Sequence, residues 1–164
     1  MERFLYVQSP VGPLTLTEEK GALTGLYFGT LPCPGQEGTS PLLAEASRQL
    51  AEYFSGKRRE FTLPLAPKGT PFQLRVWQAL STIPYGGTRS YGDIAREIGS
   101  PKASRAVGMA NHRNPISIIV PCHRVVGADG SLTGYGGGLE TKRFLLELER
   151  HTLYDPEHAT KEIF

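Results

Sequence analysis

The chain has 164 residues, of which two are cysteine, two methionine and one tryptophan, and its two asparagines are Asn111 and Asn114. Cysteines as far apart as Cys33 and Cys122 make neither a disulfide framework nor the paired C-x₂-C spacing of a metal site, so both are expected as free thiols, with no metal. No apolar run approaches the roughly 20 residues that cross a bilayer. The start, "MERFLYVQ", lacks the long apolar core of a secretion signal, which leaves a cytoplasmic protein with no membrane partner as the default. Few asparagines and methionines are a weak thermophile signal.

Net charge is also low, +2, too small to announce a nucleic-acid partner by itself. Its distribution says more. Between Ile98 and Ala128 stand Lys102, Arg105, Arg113 and Arg124 with no Asp or Glu, whereas a solvated helix face normally mixes signs. The one-sided segment points to an anionic partner.

What is present is a globular composition, 39% hydrophobic and 21% charged, enough for one sizeable domain or two small ones sharing an interface. "RFLYVQS", "PLTLTEE" and "ALTGLYFG" read as a three-stranded meander, followed by a Pro/Gly-rich loop, "TLPCPGQEGTSP". Leu43, Ala46, Leu50, Ala51 and Phe54 recur at helical spacing, with Gly56 where a cap belongs. "REFTLPLAP" offers a further strand, and "APKGTP" (66–71) is the best linker. Two domains are therefore expected, residues 1–66 and 67–164.

In the second half Phe72, Val76, Trp77 and Leu80 form a core stripe. "SYGDIAREIG" opens on Ser90 with Asp93 three residues on, a variant capping box, and stops at Gly99. "SPKASRAVGMANHRNP" restarts with Ser100 as N-cap and Pro101 at the first helical position. Two short helices so joined make a helix-turn-helix whose second helix carries Lys102 and Arg105. The Ile118–Val120 run reads as a buried strand ahead of Pro121-Cys122-His123-Arg124, then come an Ala-Asp-Gly turn and a glycine-rich loop around Tyr135. A last helix places Phe144, Leu145 and Leu148 inward with Glu149 near its end, and residues 151–164 read as a tail. His112, His151 and His158 are assigned to the surface and Cys33 to its loop.

Taken singly, Cys122 behind an apolar run reads as a small buried hydrophobe, and a terminal-turn Glu as a solvated one. Taken together the motifs carry a resemblance. "PCHRV" preceded by "NP", followed by "GYGGGLETK" and a helix ending in Glu, and preceded by "TPFQLRVWQALSTIPYGGTRSYGDIA" and "SRAVGMANHRNP", is similar to the O6-alkylguanine-DNA alkyltransferases over Thr70 to Arg150, in the family's order. The resemblance implies an α+β protein: an N-terminal ribonuclease-H-like roll and a helical, winged helix-turn-helix C-terminal domain. It implies a monomer without cofactor that binds double-stranded DNA containing O6-alkylguanine, rotates the damaged nucleotide out and takes the alkyl group irreversibly onto Cys122. His123 would act through a water as base, Glu149 would orient it, and Asn114 would brace the turn around the cysteine. Arg105 would fill the gap in the duplex, with Lys102, Ser104, Arg124 and Tyr91 as further DNA contacts. Tyr91 would also donate to the purine, and the Cys122 and Val125 carbonyls with the Tyr135-Gly136 backbone would read the guanine edge. Where many relatives have Ser after that tyrosine this chain has Gly136, which shifts protonation of the leaving base toward Tyr91.

The chemistry agrees with those roles. An unperturbed thiol, pKa about 8.5, is mostly protonated at neutral pH, so attack on an alkyl carbon needs a base partner. His123 backed by a carboxylate is such a relay. A buried cysteine cannot reach a stacked base, so extrusion is required. A lesion sensor of the same fold would have replaced the cysteine; a Cys-His hydrolase would need an oxyanion hole, and a helix-turn-helix regulator a dimerisation element.

Overall fold

Alternating apolar residues in the first half build a sheet. In the computed structural model, which describes residues 2–154, β1 (Glu2–Val7), β2 (Leu14–Glu19) and β3 (Ala22–Phe28) form the expected antiparallel meander. A two-residue strand, β4 (Gln36–Glu37), inside the loop read as irregular, pairs parallel to β1 and gives the order β3-β2-β1-β4. Leu14 and Leu16 of β2 and Leu23 and Leu26 of β3 are fully buried beneath α1 (Pro41–Phe54). That helix is capped by the Ser40 side chain and buries Leu43, Ala46, Leu50, Tyr53 and Phe54. The segment after it supplies no regular strand. Leu65 makes one isolated bridge to Leu23, because Pro64 and Pro67 cannot donate to a ladder.

α2 (Pro71–Leu80) starts in a Thr70/Gln73 capping box and sends the Trp77 indole N–H to the Ala110 carbonyl at 2.8 Å. A second parallel pair, β5 (Arg89–Ser90) with β6 (Val125–Val126), flanks α3 (Tyr91–Glu97), whose Ser90/Asp93 box is present as read. α4 (Ser104–His112) begins later than expected: Pro101 and Lys102 lie in a turn, and Ala103, which has no capping side chain, precedes the helix. α5 (Leu139–Tyr154) buries Leu145 and Leu148 and runs on through residues 151–154, which read as tail; residues 155–164, including His158, lie outside the described residues.

The segment 118–120 corrects the sequence reading. It is a turn, not a strand: Ile118 has φ +72° and the Ile119 N–H bonds the Ser117 carbonyl two residues back at 2.8 Å. A β-branched residue in that region costs about 1–3 kcal/mol, which burial of the Ile118 side chain in the core offsets.

One buried cluster runs through both halves, with Leu16, Leu26 and Tyr53 joining Trp77, Ile116, Cys122 and Leu148. The edge strand β3 is used as a splint: Leu26 donates to the Pro115 carbonyl at 2.8 Å and accepts from the Ser117 N–H at 3.2 Å. A free sheet edge is thereby closed against the turn that leads to Cys122. Among the described residues no helix is long and apolar enough to cross a membrane.

Candidate functional site

Cys122 opens a 3-10 turn, Cys122–Arg124, and is presented by two tight bends in succession. After the bend at Ile118, Pro121 sits at φ −80° and ψ 65° while the Cys122 N–H returns to the Val120 carbonyl at 2.8 Å, the geometry of an inverse γ-turn. The proline ring holds that φ without further support. Asn114 bridges the bends: its Nδ2 donates to the Val120 carbonyl at 2.8 Å and its Oδ1 accepts from the Ile116 N–H at 3.0 Å. Asn111, given no role at the site in the sequence reading, donates from Nδ2 to the Cys122 carbonyl at 3.3 Å.

The Cys122 carbonyl also receives the Val125 N–H that closes the 3-10 turn, so donors already meet both of its lone pairs. Of the groups expected to read the guanine edge, the Tyr135 carbonyl is engaged as well, by the Gly138 N–H at 3.0 Å.

Next in sequence, His123 is fully buried and its Nε2 lies 2.6 Å from Glu149 Oε2. Glu149 is fully buried too, and one carboxylate collects five contacts from three parts of the chain. They are Tyr53 Oη at 2.6 Å, the Gly86 N–H at 3.1 Å, His123 Nε2 at 2.6 Å, and Arg124 Nε and Nη2 at 2.8 and 3.0 Å. Burial alone would raise this carboxyl, yet His123 and Arg124 outweigh it and hold it well below the usual carboxylate range. Glu149 is therefore the anion, and His123 donates its Nε2 proton to it. That tautomer leaves the lone pair on Nδ1, which is buried and makes no hydrogen bond, free to act as a base.

Around the sulfur the environment is divided. Burial pushes the Cys122 thiol up, while Asn114, Ser117, Tyr135 and the charge of Lys142 pull the other way. The Tyr135 hydroxyl is buried with no partner of regular hydrogen-bond geometry, and a thiolate is the acceptor it would meet. Lys142, buried, donates to the Thr133 carbonyl at 3.1 Å and stands over the Tyr135 ring; burial lowers its pKa and the Cys122 charge opposes that. Phe28 of β3 meets Tyr135 edge to face at 5.6 Å, and a Cβ at Gly137 would lie 2.8 Å from the Phe28 ring, so only glycine fits there.

Toward solvent, Tyr91, Ser104, Arg105, Gly108, Met109, His112 and Arg113 line a shallow groove of about 580 Å³ along α4. Arg105 and Lys102 are exposed and Ser104 is half-buried, whereas Tyr91, the first residue of α3, shares a 2.5 Å hydrogen bond with Thr133 of the glycine-rich loop. Val125 is buried in β6, and Gly136 is exposed on the loop.

Arg124 is the correction. Expected as a DNA contact, it is 7% exposed. Its guanidinium is held by Glu149 on two nitrogens and by the Ile83 carbonyl at 2.8 Å, and it lies 5.6 Å from the centre of the Tyr85 ring. An ion pair of such depth competes with, and here wins over, solvent. Cys33 is half-buried in its loop, His112 is exposed and His151 half-buried. Among the described residues no cluster of His, Cys, Asp or Glu could hold a metal.

The sequence reading missed Tyr53, Gly86, Asn111, Thr133 and Lys142. Local pattern carries no sign of them: Tyr53 and Glu149 are 96 residues apart.

Comparison with known proteins covers both halves. The model of the 6-O-methylguanine DNA methyltransferase ribonuclease-like domain matches residues 3–67, and that of the DNA binding domain matches residues 71–151. The methylated-DNA–protein-cysteine methyltransferase of Mycobacterium leprae is 54% identical over 91% of this chain and 96% of its own. The constitutive one of Bacillus subtilis is 50% identical over 92% and 96%. The crystal structure of Mycobacterium tuberculosis OGT in complex with DNA superposes with a TM-score of 0.86, at 51% identity over 93% of this chain and 99% of that one.

Proposed function

The chain belongs to the 6-O-methylguanine DNA methyltransferase family, a premise from which we propose that Cys122 is the residue that accepts the alkyl group. The protein repairs DNA by moving an alkyl group from O6-alkylguanine to one of its own cysteines. The observation that carries the assignment is the buried relay beside Cys122, in which Glu149 fixes His123 Nε2 at 2.6 Å and leaves Nδ1 free. Cys33, half-buried in a loop, has no such neighbour among the residues described around it.

In the proposed sequence of events His123 Nδ1 takes the Cys122 proton through one water, and the thiolate attacks the alkyl carbon. The carbon–sulfur bond forms as the carbon–O6 bond breaks, and its electron pair leaves on the guanine. Tyr91 supplies a proton toward the departing base. Thiolate stability comes from Asn114, Ser117, Tyr135 and Lys142, and Glu149 stabilises the imidazolium that forms.

DNA is the partner. We assign the α4 face to it, Arg105 entering the stack in place of the extruded nucleotide and Lys102 and Ser104 meeting the backbone. The Val125 carbonyl and the Tyr135-Gly136 backbone are assigned to the guanine edge. The unit acting is a monomer in the cytoplasm, with residues 1–66 as the supporting domain and 67–164 as the reacting one.

Mass spectrometry of the protein after mixing with an O6-methylguanine oligonucleotide tests the reading. One added methyl on the Cys122 peptide is expected. A methyl on Cys33, or none at all, overturns it.

A further inference from the structure

The reaction assigned to Cys122, His123 and Glu149 makes no use of the first 66 residues, yet one side chain from them ends on the relay. Tyr53, in the last turn of α1, is fully buried, and its hydroxyl lies 2.6 Å from Glu149 Oε2, the same oxygen that His123 Nε2 meets at 2.6 Å. Burial and then the Glu149 charge push the phenol well above its ordinary value, so it stays protonated and can only donate. Around it Phe54, Phe61 and Tyr85 pack against the ring with centroids 5.4, 5.5 and 6.3 Å away, which leaves the hydroxyl no freedom to turn elsewhere.

We infer that Tyr53 is a positioning residue of the alkyl-transfer site, through which the N-terminal half sets the acid–base strength of the His123–Glu149 pair. The inference rests on the function proposed above. Its physics is a competition for one oxygen. A carboxylate oxygen that already accepts a short hydrogen bond has less negative charge to offer a second donor. Tyr53 therefore weakens the pull of Glu149 on the imidazolium form of His123, while fixing the carboxylate so that Nδ1 stays turned toward Cys122. Without the donor, Glu149 holds the imidazolium more tightly and fewer molecules present the neutral base to Cys122.

Other groups bear on the same carboxylate: Arg124 from the 3-10 turn, Tyr85 and the Gly86 N–H from the loop after α2, and Tyr135 from the glycine-rich loop. Arg59 lies over the Tyr85 ring, 5.5 Å from its centre, and Lys142 bears on Cys122. None of these comes from α1. Tyr53 is thus the single side chain of that helix in the network, and α1 in turn packs on the sheet.

The test compares Tyr53→Phe with Phe54→Leu, which trims packing one residue away and touches no hydrogen bond. Two readouts are followed across pH in the full chain: alkyl transfer from O6-methylguanine duplex, and carbamidomethylation of Cys122 by iodoacetamide, with the Cys33 peptide as internal control. For Tyr53→Phe the expected result is a transfer rate lowered about 3- to 10-fold near neutral pH, the size of losing one ordinary hydrogen bond. The acid limb of both profiles moves to higher pH, and the Cys33 profile stays put. Phe54→Leu leaves the limb where it is. Coincident limbs for Tyr53→Phe and the parent, or the same shift in both variants, overturn the inference. If the parent transfers no alkyl group, the function proposed for Cys122 falls, while the iodoacetamide limb still decides whether Tyr53 tunes His123.

Discussion

Arg124 and Glu149 form a two-pronged ion pair inside the protein, Nε to Oε1 at 2.8 Å and Nη2 to Oε2 at 3.0 Å, with the carboxylate fully buried. The pair joins the 3-10 turn that begins at Cys122 to the last helix. It also gives Glu149 the charge compensation without which burying an anion would cost several kcal/mol.

Removing that partner is therefore costly. Arg124→Met is expected to destabilise the protein by about 3–5 kcal/mol, since an uncompensated buried charge remains. Urea unfolding measures it. The same variant, if kept folded at low temperature, should show an unchanged salt dependence of binding to undamaged duplex, while Lys102→Ala reduces the salt slope by about one. A lower slope for Arg124→Met would return that residue to the DNA surface.

Acid stability follows from the same carboxylate. Glu149 ionises well below the usual range when folded, so below the unfolded value, about 4.3, the unfolded chain binds the extra proton. Its contribution is complete above that value and is lost as pH falls toward the folded value. Glu149→Gln should flatten the acid side of a plot of melting temperature against pH, besides slowing transfer. A parallel curve for the variant would show that the carboxylate titrates normally.

Asn114→Ala removes the bridge between the two bends, leaving the Ile116 N–H without its partner and the Val120 carbonyl with the Cys122 N–H alone. A loss of about 1–3 kcal/mol is expected for the stranded N–H, together with slower transfer as Cys122 loses its fixed direction. Thermal unfolding and single-turnover rates read the two effects separately. A normal rate in a destabilised protein would confine Asn114 to the fold.

Arg105→Ala should slow repair of duplex DNA far more than transfer from the free modified base, because the proposed work of this exposed side chain is to occupy the stack. Equal losses on both substrates would move Arg105 into the chemistry.

Stoichiometry separates this reaction from hydrolysis. A thioether at Cys122 has no carbonyl for water to attack, so repaired guanines should plateau at one per protein when alkylated DNA is in excess. Continued product formation would signal a thioester and a turning-over hydrolase.

How much of this was legible depends on the range of the contact. Capping boxes and amphipathic stripes are local, and α1, α2 and α3 lie where their spacing and caps put them. The Cys122, His123 and Glu149 set was legible through the family's motifs, not through any residue alone. Ile118–Val120 misled because an apolar β-branched run looks the same whether it is extended or folded through a strained bend, and the bend is imposed by Asn114 and by the β3 edge. Pro101 suggested an early start for α4, whereas the helix waits until Ser104. Tyr53 and Lys142 were out of reach, because a tyrosine at core spacing and a lysine in a charged helix say nothing of the partner they find across the fold.

Both asparagines of the chain lie inside this framework, Asn114 between the bends and Asn111 under Cys122. Spontaneous deamidation begins when the backbone nitrogen of the following residue attacks the side-chain amide. Pro115 offers no N–H for that step, and Asn111 is fixed within α4. The amides that hold the sulfur in place are thus shielded from chemical ageing. For a reagent used once, what matters is how long it keeps while waiting, and here the parts most prone to decay with time have been put where decay is slowest.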